Sequence, residues 1–567
     1  MWQELLKEQK WWGWGEPSRR FDFSRRPYFW PHLRSLLPLP EKAFRFPPPL
    51  EALQLPPSRL TGLALSELRR ILPDARFSLE DRARLIHTYG KSYRDLMRIR
   101  LGRLDAPPDA VLFPETEEEM LGLLRWAGSH GIAVVPRGGG TSVVGGVECV
   151  PVAPQRPVVV LSLRRFDRVR KIDPVSRMVE AEAGITGPKL EAALNKEGFT
   201  LGHFPESFHY STLGGWVATR SAGQQSTRYG KIEHMVESLR ILTPSGIWQT
   251  PAFPAAADGP DFDQLFVGSE GVLGIITRVR LLIHPLPQQR LYTAFLFPDF
   301  TAGAEAVQHI VQDGLLPATV RLSDALETDF FFALREQPVS RGKRVWQEWG
   351  LKFLEHRGYR SSRRSVLILG LEGSREQVRR QFKKFRRIFR RYGAYHLGPR
   401  LGRKWYRHRF DNPYLRDELL NFNLLVDTLE TACDWSRFWS LYQEVCRAIR
   451  QAYQQLGVAG IVFAHLSHIY QTGTSLYFVL LAVPDPGKEL EQWAVIKKAA
   501  SEAIVRNGGT ISHHHGVGLD HRPWIAREIG PAAVKLLRQM KRSLDSAGIL
   551  NPGKLIPDAE ADSTNRT

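Results

Sequence analysis

Three blocks that combine glycine with hydroxyl side chains fall in the first half of this chain. The first is Pro136-Arg137-Gly138-Gly139-Gly140-Thr141-Ser142, which follows the strand-like Ile132–Val135. The second runs from Pro205, Glu206 and Ser207 through Ser211, Thr212, Gly214 and Gly215 to Thr219, Arg220, Ser221 and Ala222. The third, Gly268 to Ile276, holds Glu270, Gly271, Val272, Leu273, Gly274 and Ile275. Glycine lets a backbone approach a ligand closely because it has no Cβ. Successive N–H groups in such a bend make a concave anion site. The chemistry implied is the holding of a pyrophosphate, and so of a nucleotide cofactor. The first block lacks the Gly-Lys-Ser/Thr of a P-loop and the spacing of a dinucleotide fingerprint. Each block alone reads equally well as a tight turn; three together favour one large shared ligand.

Further along stand residues able to move protons or bind anions. Arg321 lies inside an apolar run, Thr319–Leu322, where a charge is costly unless paired; Asp324 is the candidate structural partner. Arg416 stands beside Asp417 and Glu418 and reads either as a surface ion pair or as an anion-binding fork. Tyr470 is a candidate acid or base, or a buried aromatic with a satisfied hydroxyl. His513, His514 and His515 are consecutive; in an extended segment the first and third point one way and the second the other. No nearby Cys or carboxylate completes a metal site around them, so no metal is expected. His465 and His468 lie close in sequence and His465 is left without a role.

The elements that must position these groups divide the chain into four. Residues 1–105 read as a helical arm with Pro-rich connections, including Trp11-Trp-Gly-Trp-Gly15 and helical patterns at Ser66–Leu72 and Leu79–Tyr89. Residues 106–285 alternate strands with helices: Val111–Phe113, Val158–Leu161, Val179–Glu182, Leu239–Leu242 and Leu273–Ile283, a helix at Thr116–His130 with three glutamates in its first turn, and a small-residue helix at Trp216–Ala222. Residues 286–540, after the punctuation of His284-Pro-Leu-Pro287, hold strands Leu291–Phe297, Thr319–Leu322, Ser365–Leu371 and Thr474–Leu481 and helices Thr301–Gln312, Ser374–Tyr392 and Trp435–Leu456. That pattern predicts an α+β protein in which an antiparallel sheet carries helices on one side. Residues 541–567 are expected to return to the first domain and to end loosely.

With 567 residues and 43% hydrophobic content the chain can bury several cores. A formal charge of +19 suits nucleic acid, an anionic membrane surface or an anionic substrate. No nucleic-acid module accompanies the charge, so no nucleic-acid partner is expected. The excess is concentrated at Arg360–Arg407, where Val378–Tyr392 reads as an amphipathic helix with Phe382, Phe385 and Phe389 on one face, either packed with a solvated basic side or resting on a membrane. Three cysteines, Cys149, Cys433 and Cys446, match no disulfide framework or metal motif. No secretory signal, peroxisomal tripeptide or membrane-length apolar run is seen, and the expectation is a cytoplasmic protein able to touch membrane.

The three blocks resemble the FAD-binding domain of the vanillyl-alcohol-oxidase and p-cresol-methylhydroxylase superfamily. Trp11–Gly15, Thr319–Ser323, Tyr414–Asp417, Leu429-Glu-Thr431 with Trp435, Ser467–Gly473 and Ser512–Gly518 narrow the likeness to the alkylglycerone-phosphate synthase family, over Trp11 to Leu555. The resemblance implies a two-lobed FAD domain with a cap domain, FAD held by the three blocks, and a lipid substrate; a homodimer is compatible with it. Relatives that bond FAD covalently through the first loop carry His where Thr141 stands, so a non-covalent FAD is expected. In that family an acyl chain on glycerone phosphate is exchanged for a fatty alcohol, with the reduced flavin N5 as nucleophile and no net redox. By position, Arg416 matches a substrate-binding arginine, and Arg321, Tyr470 and the three histidines match catalytic positions. The alternatives are an FAD-linked oxidase or dehydrogenase of a 2-hydroxy acid, and a basic binding protein without activity.

Overall fold

The computed structural model describes residues 9–338 and 340–558; the expected loose tail beyond residue 558 and the leader Met1–Lys7 lie outside the described residues. The first sheet pairs β1 (Ala110–Leu112), β2 (Ala133–Arg137) and β3 (Val158–Ser162) in parallel, with β3 central. Every residue of β3 is buried, as an apolar strand covered on both faces requires. Helix α1 (Glu117–His130) links β1 to β2. The Thr116 side chain accepts from the Glu119 N–H, the glutamates sit at the positive end of the dipole, and Gly131 stops the helix in the left-handed region at φ 62°. The second sheet is antiparallel, in the order β4 (Val169–Asp173), β5 (Met178–Glu182), β8 (Ile275–Leu282), β6 (Val236–Thr243), β7 (Gly246–Gln249). Helix α2 (Leu213–Ala218) packs on β8. The expected helix at Trp216–Ala222 is therefore misplaced by half its length. Chain reversal at Arg220, φ 51°, ends it early.

The cap domain is one seven-stranded antiparallel sheet. Its order is β12 (Tyr395–Gly398), β9 (Gln289–Phe297), β11 (Ser365–Gly373), β10 (Thr319–Ser323), β14 (Gly460–Ile469), β15 (Gly473–Ala482), β13 (Leu425–Asp434). Helices α3 (Phe300–Gln312), α6 (Arg375–Arg391), α9 (Phe438–Leu456) and α10 (Glu489–Arg506) build the largest core against one face. Because side chains alternate along a strand, Leu322, Val462, Ala464, Leu466, Leu476, Phe478 and Leu480 enter that core. Their neighbours Arg321, Phe463, His465, Tyr477 and Val479 face the cleft between the domains. Helices α4 (Ala325–Ala333), α7 (Pro399–His408) and α8 (Asn412–Leu420) cross that other face, so helices lie on both sides and the one-sided expectation is corrected. In α6, Phe385 and Phe389 are fully buried and Phe382 packs against the same core. Each buried aromatic contributes about 1.5–3 kcal/mol. Strands β13 and β14 were not anticipated; Asp427 and Glu430 in one, His465 and His468 in the other, break the apolar pattern.

The segment after α11 (Arg522–Leu544) runs back along β2. Leu550 pairs with Val134 in parallel, and the Asn551 side chain donates to the carbonyls of Gly146 and Glu270 at 3.1 and 2.7 Å. One amide thus ties the loop that follows the first glycine block to the third block.

Candidate active site

All three glycine blocks line one cleft, which encloses ≈ 2610 Å³ with its open mouth included. Block one leaves the C-terminal end of β2. Its glycines are required by contact: a Cβ at Gly139 would stand 1.9 Å from the Tyr210 carbonyl oxygen, and one at Gly138 2.1 Å from Thr212 Oγ1. Loop one therefore lies flat on block two. Thr212 Oγ1 and Glu206 Oε1 are buried in the cleft without a protein partner. Buried polar atoms without partners cost free energy that a polar ligand recovers. A glycine-floored groove with unclaimed donors and acceptors, continuous with a wide cleft, fits FAD.

Most of the predicted cofactor residues line that cleft. Arg137, Arg220, Val272 and Leu273 do not. The Arg137 guanidinium turns inward to the carbonyls of Ile86, His87 and Tyr89, and Arg220 bonds Gln264 and the Val267 carbonyl. Val272 and Leu273 are buried in apolar surroundings. These four brace the loops from behind.

Glu270 joins the cofactor loops to the histidine loop. Its carboxylate accepts the N–H groups of Val517 and Gly518 at 2.5 and 2.8 Å. Burial outweighs those bonds and pushes its pKa from 4.5 up to about 7. The folded state thus holds this proton more tightly than the unfolded chain. Its contribution to stability is greatest below pH 4.5, falls as pH rises through about 7, and is level above that. Across that window the loss approaches about 3 kcal/mol at most. Chemical denaturation of wild type and Glu270→Gln between pH 5 and 8 is expected to show the flatter profile in the variant.

Strand β13 puts Glu430 at the centre of the histidines. His514 Nδ1 lies 2.7 Å and His513 Nδ1 3.3 Å from its carboxylate, and Ser467 and Ser475 donate to it at 2.7 and 2.9 Å. His513 Nε2 pairs with the Tyr470 hydroxyl at 2.6 Å. Burial alone would raise the Glu430 pKa; the neighbouring His514 and His513 overcome it and hold it well below the usual carboxylate range. Burial pushes the Tyr470 hydroxyl up and the His513 imidazole down. Two expectations are corrected here. A carboxylate does accompany the histidine loop, and with His468 it forms a group whose ligand atoms lie within 4.8 Å of one another. The loop is also not extended: His513 and His514 converge on Glu430, while His515 meets the Tyr477 ring edge-on at 5.7 Å.

Of the predicted catalytic side chains, Arg321, His514 and His515 line the cleft; Tyr470 and His513 stand behind them. Arg321 pairs with Glu327 at 2.9 Å and not with Asp324, whose side chain caps α4 through the Glu327 N–H and accepts the Ala464 N–H. Arg416 donates to the Lys91 carbonyl at 2.6 Å and lies 3.8 Å from Asp417; its Nε and second Nη are buried without a partner. Asp417 is occupied by the Trp14 N–H at 2.6 Å, so the arm closes the cleft wall beside Arg416. Glu430, His465, Glu327, Tyr477 and Trp14 were missed as site residues. A charged or imidazole side chain inside a strand was the available signal for the first two.

A two-lobed fold with such a cleft defines an FAD-dependent enzyme. A family model for an FAD binding domain matches residues 108–250, and one for the C-terminal domain of FAD linked oxidases matches residues 286–555. The alkyldihydroxyacetonephosphate synthase of Trypanosoma brucei brucei is 34% identical over 504 residues, 89% of this chain and 82% of that protein. That of Dictyostelium discoideum is 35% identical over 84% of this chain and 77% of that protein. A solved alkyldihydroxyacetonephosphate synthase superposes with a TM-score of 0.82 at 30% identity, covering 97% of this chain and 99% of that one. p-Cresol methylhydroxylase shares the fold at 16% identity and TM-score 0.64. The chain belongs to the alkyldihydroxyacetonephosphate synthase family, and its cofactor is FAD.

Proposed function

We propose that this enzyme exchanges the acyl chain of acyl-glycerone phosphate for a fatty alcohol, forming an alkyl ether without net redox. The observation that carries this is Arg416, a half-buried guanidinium whose Nε and one Nη make no hydrogen bond, in a cleft whose far wall is apolar: Phe330, Phe331, Phe463, Val479 and Leu481. A phosphate supplies the acceptors, and a long chain fills the apolar part. FAD held non-covalently by the three blocks, with Thr141 unable to bond it, supplies a ring nitrogen nucleophile. His514, backed by Glu430, faces the cleft, takes the proton next to the substrate carbonyl and gives one back to the same carbon before the ether is released; His513 and Tyr470 hold the proton meanwhile. Arg321 neutralises the departing carboxylate. Purified, FAD-loaded protein given labelled fatty alcohol and acyl-glycerone phosphate, with no electron acceptor, is expected to yield labelled ether. Absence of ether, with flavin reduced by a 2-hydroxy acid instead, would overturn the reading.

The same reading includes contact with a membrane surface. No helix among the described residues is long and apolar enough to cross a membrane. The apolar face of α6 is spent on the core. Helix α5 (Arg341–His356) instead presents Val345, Trp349 and Phe353 in one stripe at four-residue spacing, 46, 69 and 49% exposed. Trp349→Glu is expected to weaken sedimentation with phosphatidylserine-rich vesicles about tenfold while ether formation from detergent-dispersed substrate is unchanged.

A further inference from the structure

We infer that His465 takes the hydroxyl proton of the incoming alcohol as its oxygen bonds to the glycerone carbon; this rests on the ether-forming reading above. The cleft wall is built in rows across β14, β15 and β13. Ile461, Leu481 and Val426 are in register, then Phe463, Val479 and Thr428, then His465, Tyr477 and Glu430. Beyond them the hydroxyls of Ser467 and Ser475 lie 2.9 Å apart. Rows two residues apart share a face. The wall therefore changes from apolar to polar at the row of His465. A long-chain alcohol with its tail among Phe330, Phe463 and Leu481 brings its terminal hydroxyl to that row.

The imidazole is prepared to accept there. His465 Nδ1 lies 2.8 Å from Glu327 Oε1. Glu327, held down to about 2 chiefly by Arg321 against the opposing effect of burial, is an ionised acceptor. Nδ1 has two neighbours, the Glu327 carboxylate at 2.8 Å, an acceptor, and an Arg321 Nη at 3.1 Å, a donor; the shorter contact to the ionised carboxylate assigns the hydrogen to Nδ1, and Nε2 keeps its lone pair. The ring is stacked on Tyr477 with centroids 4.8 Å apart, and no described protein group bonds Nε2. Burial and Arg321 lower its pKa from the ordinary imidazole value, against the opposing pull of Glu327. His513, by contrast, has both ring nitrogens engaged, by Tyr470 and by Glu430 with His514.

In this step the alcohol O–H bond breaks and its proton passes to Nε2. The acyl group has by then left as a carboxylate with the electrons of its C–O bond; the alcohol oxygen forms the ether C–O bond at that carbon, and a nucleophile that had taken the carboxylate's place there would depart with the electron pair of its own bond. His465 then returns the proton to the carboxylate or to solvent, so ester plus alcohol becomes ether plus fatty acid.

The test uses two reactions of the FAD-loaded full chain: ether formation from labelled fatty alcohol, and exchange of labelled fatty acid into acyl-glycerone phosphate. A carboxylate needs no proton removed before it attacks. His465→Gln is expected to lower ether formation at least about 100-fold and exchange less than about threefold. Imidazole is expected to restore ether formation to His465→Ala; should that variant not load flavin, His465→Gln alone decides. Ether formation within a few fold of wild type, or both reactions falling together, overturns the inference. Wild type that makes no ether overturns the functional reading itself, and is distinguished by that control.

Discussion

Glu430→Gln is expected to keep its flavin and cut ether formation about 10³-fold, the combined scale of general acid–base catalysis and lost electrostatic positioning. The physical case is the concentration of bonds on one carboxylate. Ser467 and Ser475 share Oε1, and His513, His514 and His468 all lie within 3.7 Å of it or its twin. Glutamine keeps the shape and the two serine bonds, but it brings donors where the histidines need an acceptor and removes the charge that orients them. Glu430→Ala adds a cavity and leaves buried partners unpaired, costing about 3–5 kcal/mol. The two variants separate chemistry from folding: turnover falls in both, thermal stability mainly in alanine. Because the Glu430 pKa is lowered in the folded state, its contribution is present above the ordinary value of 4.5 and is lost as pH falls below it. That is the opposite sense to Glu270.

Gly139→Ala is expected to yield protein without flavin. The added methyl would meet backbone at 1.9 Å from Tyr210 oxygen and 2.9 Å from Ser211 Cα, neither of which can rotate away. Loop one must lift off block two, which separates the two halves of the FAD groove. We expect FAD affinity to fall at least about 100-fold and stability by about 1–3 kcal/mol. Flavin absorbance per polypeptide and a thermal melt with added FAD measure both. Gly128→Ala is the control. Gly128 lies inside α1, nothing lies within 4 Å of its would-be Cβ, and alanine there is expected to stabilise by about 0.5–1 kcal/mol without touching flavin content.

The sequence was most legible where one local rule decided the outcome. Thr116, the three glutamates and Gly131 define α1 to its ends, and Ser374 with Gln377 makes the capping box that opens α6. Val158–Leu161 could only be a covered strand. The motif likeness carried further: most of the residues it marked for FAD, and two of the three histidines, line one cleft. It did less well wherever residues distant in sequence had to meet. For Arg321 the structural alternative was a pair with Asp324, three residues away, but Asp324 is consumed by capping, and the partner is one helical turn on at Glu327. The histidine loop was read as alternating because nothing local says that Glu430, more than eighty residues earlier, will pull two neighbours to one side. The exposed stripe of α5 went unread because the denser charge of α6 drew the membrane reading to a face that the core had already claimed.

The residue types and their local spacing by themselves determined the three glycine-rich turns, the mixed helix and sheet texture and the run of three histidines, since turns, caps and close backbone approaches depend on neighbours a few positions apart. Which groups touch was decided only by the tertiary structure. The register of β13, β14 and β15 sets Glu430, Tyr477 and His465 in one row, and a shift of a single residue would send all three into the opposite, apolar core.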